Sequence, residues 1–327
     1  MLPVLFFIVM GLAVLAYSIL DGYDLGIGML LPLGNEAEKD RMIASIGPFW
    51  DANETWIVLG VGVLLIAFPQ AHGRVLTALY LPVTLMLIGL VMRGVAFDLR
   101  VKAGLNKKAL WDRVFSSGSL LAAVTQGWMV GAYITGLQPG LVNLLFSALI
   151  ALLLPAFYIF LGAGWLMIKC EAELFHRAVS WARRALLPMA AALVLVSIAT
   201  PLVSVTIAER WFTLPNLIGL APIPISCALV FVAIAAFLTR SDDTIDSYPW
   251  VPFAGAAIIG VMAAIGLGYS LYPYVVIDEL TIWETASATS SLKFVLVGML
   301  ITVPAIIGYS IFVYRIFSGK ASDLEYG

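Results

Sequence analysis

Nine separate stretches of about twenty mostly apolar residues run along this chain, each long enough to cross a bilayer as a helix. They lie near 3–22, 50–69, 74–97, 115–136, 141–168, 183–206, 216–239, 250–272 and 292–317. A water-soluble domain is nearer half apolar and a quarter charged, whereas this chain is 62% hydrophobic and only 12% charged. So much apolar surface cannot be hidden inside a fold of this size, and lipid removes the need to hide it. The expected fold is therefore all-α: a polytopic membrane protein with nine transmembrane helices, forming a single integral membrane domain over 1–327. Trp111, Trp181, Trp211, Tyr248 and Trp250 sit at segment ends, where aromatic belts belong. The first run begins at Leu2 with no basic stretch before it and no small-residue cleavage site after it, which predicts a retained helix.

The basic residues orient the bundle. Loops after odd-numbered segments, together with the C-terminal tail, hold 14 of them, including Lys39, Arg41, Arg100, Lys102, Lys107 and Lys108. The other side holds 3, namely Arg74, Arg210 and Lys293, and Arg93 lies inside the third segment. Positive charge marks the cytoplasmic side, so the N-terminus is expected outside and the C-terminus in the cytoplasm. That arrangement needs an odd number of crossings and so agrees with nine. The net charge of −2 gives no argument for a nucleic-acid partner.

Charges within apolar helices are costly, which makes them functional candidates. Asp21 and Asp24 close the first segment in DGYDLGIG. Trp50, Asp51, Asn53, Glu54 and Trp56 open the second in WDANETW, and Arg93 and Asp98 lie near the inner end of the third in RGVAFDLR. The topology puts all three ends on the cytoplasmic side, so these acids and an arginine are expected to converge there. Asp51 and Glu54 are three residues apart and share a helix face, as do Asp21 and Asp24. Two carboxylates close together in low dielectric do not both ionise easily, so such a chain can hand protons inward while Arg93 holds one acid charged. The blander alternative is an ion-pair cluster that ties three helices together.

Other polar groups carry less. His72 is placed in a short external turn and His176 in a basic internal loop, on opposite sides, so no bis-histidine haem site is expected. Met86, Met92 and Met129 are read as packing, and so are Cys170 and Cys227, which form no CxxC pair. No phosphate-binding loop, dinucleotide turn or HExxH is present. Neither a catalytic residue nor a metal ligand is expected. Gln126, Trp128 and Trp165 are read as interhelical hydrogen-bonding groups, and Pro155, Pro201, Pro222, Pro224 and Pro304 as kinks or breaks. Asp278, Glu279 and Glu284 in the last external loop are expected to form a solvated face.

The segments DGYDLGIGML, GPFWDANETW, MRGVAFDLR and YPYVV…LTIWETAS, in this order, resemble subunit II of cytochrome bd-type quinol oxidases, most closely the cyanide-insensitive branch. The resemblance runs from about residue 15 to residue 315. It implies two four-helix bundles plus a peripheral helix, and a pseudo-symmetric pairing with a homologous, haem-bearing subunit I. It also implies quinol and dioxygen as substrates of the complex, with haem b and haem d (or b) on subunit I. No cofactor is then ligated by this chain, apart from a structural quinone held in some members, and a small accessory subunit joins some complexes. The location implied is the bacterial inner membrane, with lipid around the helices. Carried over by position, Asp21 and Asp51 match acids on a cytoplasmic proton path, with Trp50 and Asn53 beside them. Asp24, Glu54, Arg93 and Asp98 complete that region, and Glu54 stands where other branches can have an amide. Trp56 matches a tryptophan near a lateral oxygen entrance. The competing reading is an ion-coupled secondary transporter; such proteins place broken helices near the bilayer midplane, whereas the acids here sit towards one end. A third reading is a purely structural scaffold.

Overall fold

The computed structural model describes residues 1–102 and 104–321, without the side chains of Leu105 and Asn106. The helices are α1 (Leu2–Leu30), α2 (Glu36–Ile46), α3 (Trp50–Ala67), α4 (Pro69–Ala78), α5 (Tyr80–Lys102), α6 (Leu105–Ile134) and α7 (Leu141–Lys169). They continue as α8 (Ala172–Val203), α9 (Val205–Phe212), α10 (Asn216–Leu220), α11 (Pro222–Leu238), α12 (Asp242–Ser247), α13 (Val251–Leu271) and α14 (Thr289–Ile316). A two-stranded antiparallel hairpin, β1 (Tyr274–Val276) and β2 (Leu280–Thr281), pairs Tyr274 with Thr281 and Val276 with Leu280.

Among the described residues, eight helical spans are long and apolar enough to cross a membrane. The expected fourth crossing falls in α6, which has the length at 30 residues but carries Ser116, Ser117, Ser119, Thr125 and Gln126 along its apolar run. Those polar residues dilute its hydropathy below that of its neighbours. The spanning helices turn apolar side chains outward: only 11% of the most apolar stretch of α14 is buried, and Phe294 is 82% exposed. In water that surface would drive aggregation, whereas in lipid it is the solvated surface.

Several expected boundaries move. The first helix does not close at residue 22 but continues to Leu30, so Asp21 and Asp24 lie within it. The expected polar connections 98–114 and 169–182 are mostly helix, as α5 runs to Lys102, α6 starts at Leu105, and α8 follows α7 after two residues. An apolar window reports where lipid ends, and the hydrogen-bonded ladder runs on past it. The 74–97 segment breaks at Leu79, which separates α4 from α5, and His72 therefore sits in α4 rather than in a turn. His176 likewise lies on α8, with Nδ1 2.9 Å from Asp242 Oδ2. The 216–239 segment divides at Ala221, because Pro222 opens a new helix instead of continuing the old one.

α1 is the organising helix and packs against α3, α6 and α7; α5 lies on α6, α6 on α7, α7 on α8, and α11 on α13. Gly26 and Gly162 make the α1–α7 contact: a Cβ on Gly26 would stand 1.8 Å from the Tyr158 carbonyl oxygen, and one on Gly162 2.6 Å from the Ile27 nitrogen. Small residues at such crossings let backbones approach where no hydrophobic drive exists between helices. On the hairpin side, Asp278, Glu279 and Glu284 are exposed as expected, and each also has a partner. Arg74 Nε donates to Glu279 at 2.7 Å, Thr206 donates to Asp278 at 2.6 Å, and Glu284 accepts from the Thr281 amide at 2.9 Å.

Gly26→Leu should force α1 from α7 and lower stability by at least about 1–3 kcal/mol. The measurement is the thermal midpoint of the purified protein; a midpoint equal to that of the unaltered chain would contradict the packing described.

Candidate functional site

Three helices bring charged groups together in the membrane. α1 presents Asp21 and Asp24, α3 presents Asn53 and Glu54, and α5 presents Arg93. Arg93 is 1% exposed and Asp21 and Asp24 are 0% exposed. Arg93 Nη2 stands 2.6 Å from Asp21 Oδ1, and the same nitrogen donates to Glu54 Oε1. Two carboxyls thus share one guanidinium, and Asp24 lies one turn along α1 from the first of them. Asp24 Oδ1 and the Arg93 Nε and Nη1 groups have no hydrogen-bond partner among the described residues. Buried polar atoms in that state are expensive in an apolar medium.

Asn53 is the second centre. Its side-chain nitrogen lies 2.8 Å from Asp24 Oδ2, 3.0 Å from the Tyr23 hydroxyl and 3.1 Å from the Leu20 carbonyl oxygen. Its carbonyl accepts from the Tyr314 hydroxyl at 3.0 Å, and the Tyr23 and Tyr314 hydroxyls are 2.6 Å apart. The Tyr23 ring stacks on Trp165 with centroids 4.3 Å apart, and Trp165 Nε1 donates to the Ser45 carbonyl at 3.1 Å. An amide both donates and accepts, so it joins an acid on one side to a phenol on the other.

The remaining expected residues sit at the margin. Asp51 and Asp98 are exposed, on α3 and α5. Trp50 is half-buried and lies against Phe97, with ring centroids 5.3 Å apart, so it braces α3 on α5. Trp56 has an apolar setting. It lines an apolar cavity of about 200 Å³ with Val9, Leu12, Leu59, Val303 and Ile307, between α1, α3 and α14. Its indole Nε1 is buried without a hydrogen-bond partner among the described residues.

Sequence reasoning did not find Tyr23 and Tyr314 as members of the site. The tyrosine between the two acids of DGYD was a signal for Tyr23; nothing in the sequence pointed to Tyr314. A third polar group was half seen. Gln126 was expected to bond between helices, and it does so on both sides: its nitrogen donates to the Tyr17 hydroxyl at 2.9 Å and its oxygen accepts from Tyr158 at 2.7 Å. Tyr17 is one turn from Asp21 on α1.

The sequence model for the family described as "Cytochrome bd terminal oxidase subunit II" matches residues 2–317. This chain belongs to that family. It is 27% identical to cytochrome bd ubiquinol oxidase subunit 2 of Bacillus subtilis (strain 168), over 98% of this chain and 97% of the relative. It is 31% identical to cytochrome bd-I ubiquinol oxidase subunit 2 of Escherichia coli (strain K12) over 40% of this chain and 36% of that one. The fold resembles a chain of the bd oxidase from Geobacillus thermodenitrificans, with a TM-score of 0.75, 18% identity and 97% and 98% of the two chains covered. Membership makes the chain a subunit of an oxidoreductase complex in which a subunit I is its partner. The family name implies haem, and the donors here do not suit it. His72 on α4 and His176 on α8 compose no axial pair, and among the described residues no group of three or more His, Cys, Asp or Glu can hold a metal ion. Met86 and Met129 belong to the apolar packing.

Removing the shared cation should be worse than removing the amide. Arg93→Met, which leaves Asp21 buried and unpaired, should cost about 3–5 kcal/mol. Asn53→Leu should cost about 1–3 kcal/mol. The yield and thermal midpoint of the assembled complex measure both, and the reverse order would contradict the cluster as described.

Proposed function

We propose that this chain is the haem-free half of a quinol oxidase that reduces dioxygen to water in a bacterial inner membrane. α6 completes nine crossings, arranged as two four-helix bundles with one peripheral helix, with the N-terminus outside and the C-terminus in the cytoplasm. The haem-bearing subunit I, with haem b and haem d or b, is its partner, and quinol is the electron donor of the complex. A small accessory subunit and a structural quinone in this chain belong to the same reading. The chain supports assembly and carries protons from the cytoplasm towards the oxygen-reducing site.

The observation that carries this reading is the continuity of polar groups from an exposed rim to a sealed interior. Asp51 and Asp98 are exposed near the basic helix ends, with Trp50 between their helices. Glu54, one turn beyond Asp51, is still 27% exposed and reaches Arg93. Arg93 joins Asp21, and Asp24 follows one turn along α1 to Asn53. Reduction of dioxygen consumes protons, and apolar helices would otherwise bar their way. Asp21 and Glu54 share one guanidinium and Asp24 is handed on to the Asn53 amide, so this run of acids gives a proton a place to stop and move on. Trp56 and its apolar cavity serve a different traffic: a small apolar gas partitions into such a space, which suits the oxygen entrance.

Asp51→Asn should slow turnover about tenfold, which is about 1.4 kcal/mol of barrier, with the haem spectrum intact. Unchanged turnover in an assembled complex would remove Asp51 from the path, and loss of haem would make the acid structural. A reduced-minus-oxidised spectrum tests the wider reading: haem bands in the complex purified through this chain, and none in the chain alone. A haem-free complex would overturn it.

A further inference from the structure

A second cavity, of about 340 Å³, opens beside the C-terminal end of α5, away from the acid cluster. Its rim is polar, with Asp40 from α2, Arg100 from α5 and Lys108 from α6. Its wall is apolar, with Ile43, Phe97 and Val101. Val101 is itself 45% exposed, so the apolar wall has an open edge on the outside of α5. Cationic groups at the end of a spanning helix, above an apolar wall open to lipid, make a place for an amphiphile with an anionic head.

The charges of the rim are not balanced within it. Arg100 is 3% exposed; its Nε donates to Asp112 at 2.5 Å and its Nη1 to Asp40 at 2.6 Å. The third nitrogen, Nη2, is buried and has no partner among the described residues. Asp112 is also shared with Lys39, at 3.3 Å. Lys108 stands 3.2 Å from Asp40, so two cations of the cavity share one acid. Burial pushes the Asp40 carboxyl up, but the hydrogen bonds and charge of Arg100 and Lys108 outweigh this and hold it below the ordinary carboxylate range. Asp40 is the exposed member: its side chain is 49% exposed, on the short α2, outside the spanning helices. An oxyanion from outside can replace its carboxylate on Arg100 and Lys108 as Asp40 turns to water. A guanidinium fork suits the oxygens of a phosphate better than a point charge would.

We propose that this cavity binds a phosphate-ester anion on Arg100 and Lys108, with Asp40 as its built-in competitor. The headgroup of an anionic membrane lipid and free phosphate share this chemistry. The inference goes beyond the proton-path reading and needs only that α5 spans the membrane.

The test uses the whole oxidase complex, stripped of lipid in detergent and titrated with phosphatidylglycerol, phosphatidylcholine or inorganic phosphate. Binding is read by native mass spectrometry and by the thermal midpoint. Phosphatidylglycerol should bind saturably and raise the midpoint more than phosphatidylcholine does. Lys108→Glu should weaken that binding about tenfold, the worth of one charge-assisted contact. Asp40→Asn should tighten it severalfold, a sign that a merely structural ion pair would not give. If inorganic phosphate displaces the lipid and reproduces the shift, the site takes the free anion as well; if it does neither, the source is lipid. Equal binding of the two lipids would overturn the proposal. So would unchanged phosphatidylglycerol binding in Lys108→Glu, or unchanged or weaker binding in Asp40→Asn.

Discussion

One guanidinium in an apolar medium governs how this chain is arranged. Arg93 is bound to Asp21 and Glu54, on helices far apart in sequence, and none of the three is comfortable in lipid without the others. An unpaired charge at that depth would drag water or headgroups after it. The ion pairs therefore set which faces of α1, α3 and α5 look inward. The apolar faces have no such preference, since a leucine packs against lipid about as well as against protein. In a water-soluble protein the core decides orientation and the charges adapt. Here the few buried charges decide, and close contacts such as Gly26 on Tyr158 settle the distances.

The same cluster shows how far the sequence could be read. The apolar segments were legible because length and hydropathy are the very properties that a bilayer selects. Their ends were not, because α1, α5 and α8 continue as helices beyond the apolar windows. The hairpin Tyr274–Thr281 was hidden for a different reason: a pair of strands this short has no period to detect. The motifs correctly brought Asp21, Asp24, Asn53, Glu54 and Arg93 into one neighbourhood. Spacing alone, however, did not distinguish their partners. Residues three apart on a helix differ by about 60° in direction. That difference turns Glu54 inward and leaves Asp51 at the surface, and it sends Asp21 to Arg93 but Asp24 to Asn53.

Polar groups in the apolar helices also separate into two kinds. Gln126 with Tyr17 and Tyr158 is a satisfied set that fastens three helices, and through Tyr17 it also reaches Asp21. Around Arg93 and Asp24, donors and acceptors are left over. Leftover groups of this kind suit the proton exchange proposed for the cluster, and a set whose hydrogen bonds are all made suits fastening helices.

The bond between Tyr314 and Asn53 joins residues 261 positions apart, and Tyr23 and Tyr314 are separated by 291. A ribosome feeding this chain into the bilayer delivers Asp24 and Asn53 early and their last partner almost at the end. Until α14 arrives, the Asn53 carbonyl lacks the Tyr314 hydroxyl. Docking of α14 is thus the step that closes this side of the site, and a product truncated before Tyr314 leaves that carbonyl without its donor.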